Sequence, residues 1–251
     1  MQRLRRLIQK RSARLADGVF VAEGATLLRE ALAAGVVPQE VFFAPDADAS
    51  LIAEAQRSGA SVHALAPGVM ESVADAVTPQ PVCAVLPFVD VPIDALAPDG
   101  VVVVAVDVRD PGNAGTLVRS AAAAGARGVV LCDGCVELYN PKTVRATAGA
   151  LFRLPVVTSV SVDGALSSLG AAGRRRLAAV ARDGDDYARV DLTGPVAFVV
   201  GNEAHGLPDA LAGIDGGVTI PMPGATESLN VGVATAVLCF EAARQARAAV
   251  A

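Results

Sequence analysis

The chain has 251 residues, 53% of them hydrophobic and 19% charged, with a formal net charge of −5. That balance is too apolar for a disordered chain and long enough for one large α/β domain or two smaller ones. Every apolar stretch is cut by Pro, Gly or charge before it reaches bilayer length, and Leu7-Ile8 runs at once into Gln9, Lys10 and Arg11. Neither a membrane span nor a signal-peptide core is expected, and the predicted location is cytoplasmic.

Taken in order, Leu4, Leu7, Ile8 and Leu15 predict an amphipathic first helix with an arginine outer face. Val19 to Ala22 reads as a strand, and Glu23-Gly24 opens a helix through Leu27, Leu28, Ala31 and Leu32 that stops at Gly35. Strands follow at 41–43, 62–65 and 81–86, with helices at 50–57 and 68–74. This is a small α/β unit over 1–88. Pro87, Pro92 and Pro98 then punctuate a linker over 89–100. Beyond it, Val101 to Val106 is the fully apolar run of a strand buried on both faces of a parallel sheet. Further strands are predicted at 128–132, 156–160, 177–181, 196–200 and 218–220, with helices between, so 101–251 reads as a doubly covered α/β domain. The last helix carries Leu229, Val233, Val237 and Phe240 at helical spacing.

The negative total argues against nucleic acid; the distribution argues for it. Arg3, Arg5, Arg6, Lys10, Arg11 and Arg14 fall in the first fourteen residues without an acid, and Lys142, Arg145 and Arg153 form a second basic stretch. Clustered charge makes a local field whatever the total. Four cysteines, Cys83, Cys132, Cys135 and Cys239, include one C-x-x-C, but no second pair and no nearby His complete a zinc set, so no metal is expected.

In open α/β sheets the loops at the carboxyl ends of strands build the ligand crevice. Three such loops stand out: Asp107 to Gly115 with Arg119 on the following helix, Gly201 to Leu207, and Ile220 to Val231. None carries G-x-G-x-x-G, a P-loop or G-x-S-x-G, which weakens the dehydrogenase, NTPase and esterase readings.

Together the three loops resemble the motifs of the SpoU/TrmH-type RNA ribose 2′-O-methyltransferases of the SPOUT superfamily. The first matches through Asn113, Gly115 and Arg119, and the second through Gly201, Glu203, Gly206 and Leu207. The third matches through Ile220, Pro221, Met222, Gly224, Ser228, Leu229, Asn230 and Val231; residues 140–156 also look like the family. Gly232 stands where many members have Ser, and its side-chain position is expected to face the helix. The N-terminal part is similar, more loosely, to the family's ribosomal-protein-like substrate-binding domain through Glu23, Gly24, Leu28, Glu30, Ala31 and Leu32.

The resemblance implies a SPOUT-type parallel sheet with a C-terminal trefoil knot, S-adenosylmethionine as methyl donor, structured RNA (rRNA or tRNA) as substrate, and a homodimer. It implies a donor site at Gly201, Asn202, Glu203, Gly206, Leu207, Ile220, Pro221, Met222, Ser228 and Leu229, and a catalytic set of Asn113, Arg119, Glu203, Ser228 and Asn230. RNA contact would fall to Arg3, Arg5, Arg6, Lys10, Arg11, Arg14, Lys142 and Arg145. Because a guanidinium does not lose its proton readily, the expected role of Arg119 is to grip phosphate and stabilise the developing alkoxide rather than to act as a base. The rival reading is a non-catalytic RNA-binding or ribosome-assembly factor that retains the donor pocket.

Overall fold

Short apolar runs alternate with helices whose first turns carry their own caps. The computed structural model describes residues 1–70, 72, 80–202, 206–208 and 211–250. In chain order the elements are α1 (Gln2–Gln9), α2 (Arg11–Asp17), β1 (Val19–Glu23), α3 (Ala25–Ala33), β2 (Glu40–Phe43), α4 (Ala49–Arg57), β3 (Ser61–Ala64) and β4 (Val82–Pro87). They continue with β5 (Val101–Ala105), α5 (Pro111–Ala123), β6 (Gly128–Cys132), α6 (Pro141–Ala146), β7 (Val156–Val160), α7 (Val162–Ala171) and β8 (Arg175–Ala179). The last four are β9 (Asp185–Asp186), β10 (Val196–Val200), β11 (Gly216–Thr219) and α8 (Val231–Val250). Asp48, Asp110, Asn140 and Ser161 accept backbone N–H bonds at the starts of α4, α5, α6 and α7, satisfying donors that a helix start leaves unpaired.

The chain divides into two units, 1–89 with 137–153, and 90–136 with 154–251. Both differences from the 1–88, 89–100 and 101–251 reading come from contacts that a linear scan cannot pair. Tyr139 stacks on Phe88 at 4.0 Å between centroids and lies 4.8 Å from Phe20, so the segment after β6 belongs to the first unit. In the second unit, Val91 N–H donates to the Val156 carbonyl, and Val91, Ile93 and Leu96 pack against a core cluster, so the proline-rich segment is structured.

The first unit holds a four-stranded sheet in the order β1-β4-β2-β3, with only β2 and β3 parallel. Leu4, Leu7, Ile8 and Ala13 cover one face together with Val19, Val21, Phe42, Cys83 and Val85. The predicted first helix breaks at Lys10, whose backbone is extended, and Leu15 is 55% exposed rather than in the core. The predicted helix at 68–74 meets turns through 70, and residues 71, 73 and 74 lie outside the described set.

The second unit is a seven-stranded sheet in the order β7-β6-β5-β10-β8-β11-β9, with every pairing parallel. β5 and β10 are almost wholly buried, as a strand covered on both faces requires. The strand predicted at 177–181 begins two residues earlier, because Arg175 and Arg176 pair with Val196 and Ala197 on β10. Helix α8 packs on α5, and a Cβ added at Gly232 would stand 2.8 Å from the Thr116 side chain on α5. Position 232 therefore faces a neighbouring helix closely, and a side chain there requires Thr116 to move.

Candidate active site

Since β5, β10, β8 and β11 are parallel, their carboxyl ends share one edge of the sheet, and the chain's direction of winding changes where β10 sits beside β5. The loops leaving these four strands are tied together by specific bonds. Asn202 Nδ2, after β10, donates to the Asp107 carbonyl after β5 at 3.0 Å. Asp107 is held at φ 56°, a conformation disfavoured for a residue with a Cβ, and its carboxylate accepts from Arg109 Nε at 2.7 Å.

The loop after β10 folds back on itself, with Gly206 N–H donating to the Asn202 carbonyl at 2.8 Å. A Cβ at Gly201 would collide with the Gly206 carbonyl group and lie 2.7 Å from Leu207 N. Only glycine admits this approach. On the third loop, Asn230 Oδ1 caps α8 by accepting from Gly232 N and Val233 N at 2.9 and 3.3 Å. Its amide nitrogen donates to Asn113 Oδ1 at 2.8 Å, joining the third loop to the start of α5.

A fourth loop, after β8, is one the sequence reading did not single out. The Thr219 hydroxyl accepts from Gly184 N–H at 3.0 Å and donates to the Val180 carbonyl at 3.1 Å, which pins the loop against β11. The polar, glycine-containing run Arg182-Asp183-Gly184-Asp185 behind an apolar strand was the available signal.

The loops after β8, β10 and β11 enclose a cavity of about 360 Å³, within the range of small-molecule sites; the loop after β5 is bonded to them without being among the described residues that line this cavity. Of the ten residues predicted to hold the donor, Gly201, Asn202, Gly206, Ile220, Met222, Ser228 and Leu229 line it. Leu207 instead packs against the core cluster beneath, and Pro221 is exposed and outside the lining. Glu203 lies outside the described residues. The walls not foreseen are Ala179 at the end of β8 with Val180 and Ala181 after it, Val200 and Val218 on β10 and β11, Glu227, and Val231, Ala234 and Leu238 on α8. Of the predicted catalytic set, Asn113 and Asn230 are bonded to one another and Ser228 is on the cavity wall. Arg119 is exposed on α5 and has no ion-pair partner among the described residues.

The profile of the SpoU rRNA Methylase family matches residues 100–240. The chain belongs to that family. It is an S-adenosylmethionine-dependent RNA 2′-O-ribose methyltransferase. A second profile, the MRM3-like substrate binding domain, matches residues 1–84. The chain is 32% identical over 234 residues to the 23S rRNA (guanosine(2553)-2′-O)-methyltransferase RlmP of Bacillus subtilis, covering 93% of this chain and 92% of that protein. Among solved structures it resembles the SpoU methyltransferase AviRb of Streptomyces viridochromogenes in complex with the cofactor AdoMet. There the TM-score is 0.86 and the identity 28%, over 98% of each chain. The AdoMet-bound rRNA methyltransferase of Sinorhizobium meliloti gives a TM-score of 0.85 at 30% identity, over 97% of this chain and 93% of that one.

The basic residues of this methyltransferase divide sharply once folded. Arg14 is 3% exposed; it donates to Glu137 through Nε at 2.8 Å and through Nη2, and to the Leu7 and Ile8 carbonyls at 2.6 and 3.1 Å. It is a structural clamp and is unavailable to phosphate. Arg3 is paired with Asp17 and Glu40, and Arg145 with the buried Glu23 at 2.9 Å. Arg153 pairs with Glu30. Arg6 reaches Asp17 at 3.5 Å and Arg5 donates to the Ser72 hydroxyl, yet both remain exposed. Lys10, Arg11 and Lys142 are exposed without an ion pair among the described residues.

The C-x-x-C pair has a structural setting. Burial pushes the Cys132 thiol up to about 12, and Cys135 Sγ donates to the Ala105 carbonyl at 3.3 Å. Among the described residues no group of three or more His, Cys, Asp or Glu stands ready for a metal, and no helix is long and apolar enough to cross a membrane.

Proposed function

We propose that this methyltransferase seats S-adenosylmethionine in the 360 Å³ cavity and methylates a ribose 2′-hydroxyl of ribosomal RNA in the cytoplasm. The observation that carries the reading is the glycine-only closure of Gly201 on the Gly206-Leu207 backbone beside an apolar chamber. An adenosine needs an apolar slot with backbone and amide partners, and Val180, Ile220, Leu229 and Leu238 with Asn202 and Ser228 fit that need. Relatives named as 23S rRNA 2′-O-methyltransferases favour ribosomal over transfer RNA.

The bound donor supplies an electrophilic methyl group. This chain's residues supply alignment, since displacement at a methyl carbon depends on holding the nucleophile at near-attack distance of about 3 to 3.5 Å. The Asn113–Asn230 bond fixes the start of α5 against the start of α8, and so sets where Arg119 projects. Arg119, with no competing ion pair among the described residues, grips the phosphate beside the target ribose and stabilises the oxygen as its proton passes to solvent. RNA is held by Arg5, Arg6, Lys10, Arg11 and Lys142, whose exposed charges give salt-sensitive affinity.

The C-terminal segment forms the trefoil knot of the superfamily, a reading favoured by β10 lying between β5 and β8 while α8 returns to pack on α5. The enzyme works as a homodimer through α8, where Val233 and Phe240 are 47% and 48% exposed.

The deciding assay incubates the protein with methyl-labelled S-adenosylmethionine and unmodified ribosomal RNA, alongside Arg119→Ala. Label should enter a single 2′-hydroxyl with the wild type and fall at least ~100-fold with the variant, about the effect of removing one charge-stabilising donor. Donor affinity, measured by calorimetry, should not change. Donor binding without any label transfer to RNA would favour the assembly-factor reading.

A further inference from the structure

A second cavity of about 410 Å³ adjoins the first, sharing Ala181, Met222 and Glu227 with it. We propose that it receives the amino-acid end of S-adenosylmethionine, with Arg182 at the α-carboxylate and Glu227 at the α-ammonium. The inference rests on the first cavity being the adenosine site.

The argument is one of charge. Close by in the chain Arg189 pairs with Asp186, and Asp183 and Asp185, which carry no ion pair among the described residues, line neither cavity. Arg182 and Glu227 line the second cavity, and neither has an ion-pair partner among the described residues, including each other. One unmatched cation and one unmatched anion on a single wall complement a zwitterion. A phosphate would gain from Arg182 but be repelled by Glu227, which argues against an RNA backbone here. Among the described residues the first cavity's lining, by contrast, carries Glu227 as its one ionisable side chain, and Glu227 is shared by the two chambers. A ligand with a neutral nucleoside and a zwitterionic tail matches that division.

The loop is also built to hold its position. Thr219 anchors both of its ends, at Val180 and Gly184. A Cβ at Gly184 would meet Thr219 Oγ1 at 2.6 Å and the Val218 carbonyl carbon at 2.9 Å, and Asp183 adopts φ 62°. Backbone strain held in place by this packing fits a ligand clamp better than a passive turn.

The test uses two thioether ligands that differ only in the tail: S-adenosylhomocysteine, and 5′-methylthioadenosine, which lacks the amino-acid end. Calorimetric titration of the full-length wild type, Arg182→Ala and Glu227→Gln should show each variant binding S-adenosylhomocysteine about 10-fold more weakly, as for loss of one exposed charge-assisted bond. Affinity for 5′-methylthioadenosine should stay at the wild-type value. Equal losses with both ligands, or no loss with either, would overturn the assignment. Unchanged S-adenosylhomocysteine affinity with a raised KM for ribosomal RNA would overturn it in favour of a target-nucleotide site. If the wild type binds neither ligand, the donor reading of the first cavity fails, and this inference with it.

Discussion

Arg14 belongs to the basic cluster by sequence and to the protein interior by structure, and its replacement separates the two roles. In Arg14→Ala the Glu137 carboxylate, whose side chain is 10% exposed, loses both guanidinium bonds, and the Leu7 and Ile8 carbonyls at the end of α1 lose their donor. Removing one partner of a buried pair leaves an uncompensated charge and costs about 3–5 kcal/mol. For a unit of about one hundred residues, each kcal/mol lowers Tm by roughly 4 °C, so a fall of ~12–20 °C is expected. Scanning calorimetry of the full chain reads this directly. Lys10→Ala and Arg11→Ala should leave Tm within ~2 °C, in keeping with exposed positions, while flattening the salt dependence of RNA binding. The double variant Arg14→Met, Glu137→Leu should recover much of the lost stability, because a buried pair replaced by apolar groups is close to neutral. An Arg14→Ala protein that melts like the wild type but binds RNA weakly would refute this reasoning. Point substitution is the right tool here: removing residues 1–14 would also strip Leu4, Leu7 and Ile8 from the core.

Three further outcomes follow from the geometry. Gly201→Ala forces a Cβ into the Gly206-Leu207 backbone and should weaken S-adenosylhomocysteine binding about 10- to 100-fold, the effect of 1–3 kcal/mol of overpacking; wild-type affinity in calorimetry would mean the loop is not the donor wall. Asp215 accepts three bonds from Arg176, which hold its carboxyl down at about 2 against an ordinary 3.8. Its folded-state value is depressed, so its stabilising contribution is complete above the ordinary value and is lost as pH falls toward 2. Asp215→Asn should therefore flatten the pH dependence of the urea midpoint in that window, and parallel curves would count against the pairing. Phe240→Asp on the exposed face of α8 should shift sedimentation from a dimer to the 25.3 kDa single chain; an unchanged mass would assign the dimer to another surface, or to none.

Strand order and side-chain pairing divide what could be read in advance from what could not. The strands at 128–132 and 196–200 were legible to the residue, because a run apolar on both faces is buried on both, and the bounds at 156–160 also hold although only the first two residues there are buried. The motif resemblance marked Gly201, Gly206 and Asn230 in advance, and the fold gives each a backbone role: close approach, a left-handed turn and a helix cap. The fourth loop was not legible. Arg182 and Asp183 look like any polar turn until β8 is placed between β10 and β11, a parallel neighbourhood that periodicity cannot order.

The same limit applied to charge. Sequence alone counted the basic residues at the N-terminus correctly but could not see that Asp17, Glu40 and Glu137 would meet Arg3, Arg6 and Arg14, because ion pairs up to 123 residues apart depend on the fold. Local chemistry thus determined which segments are strands, and the motif resemblance pointed to the loops and to the reaction. Tertiary structure alone decided which loops share a wall and which arginines remain free to meet RNA, since both depend on groups the chain brings together only by folding.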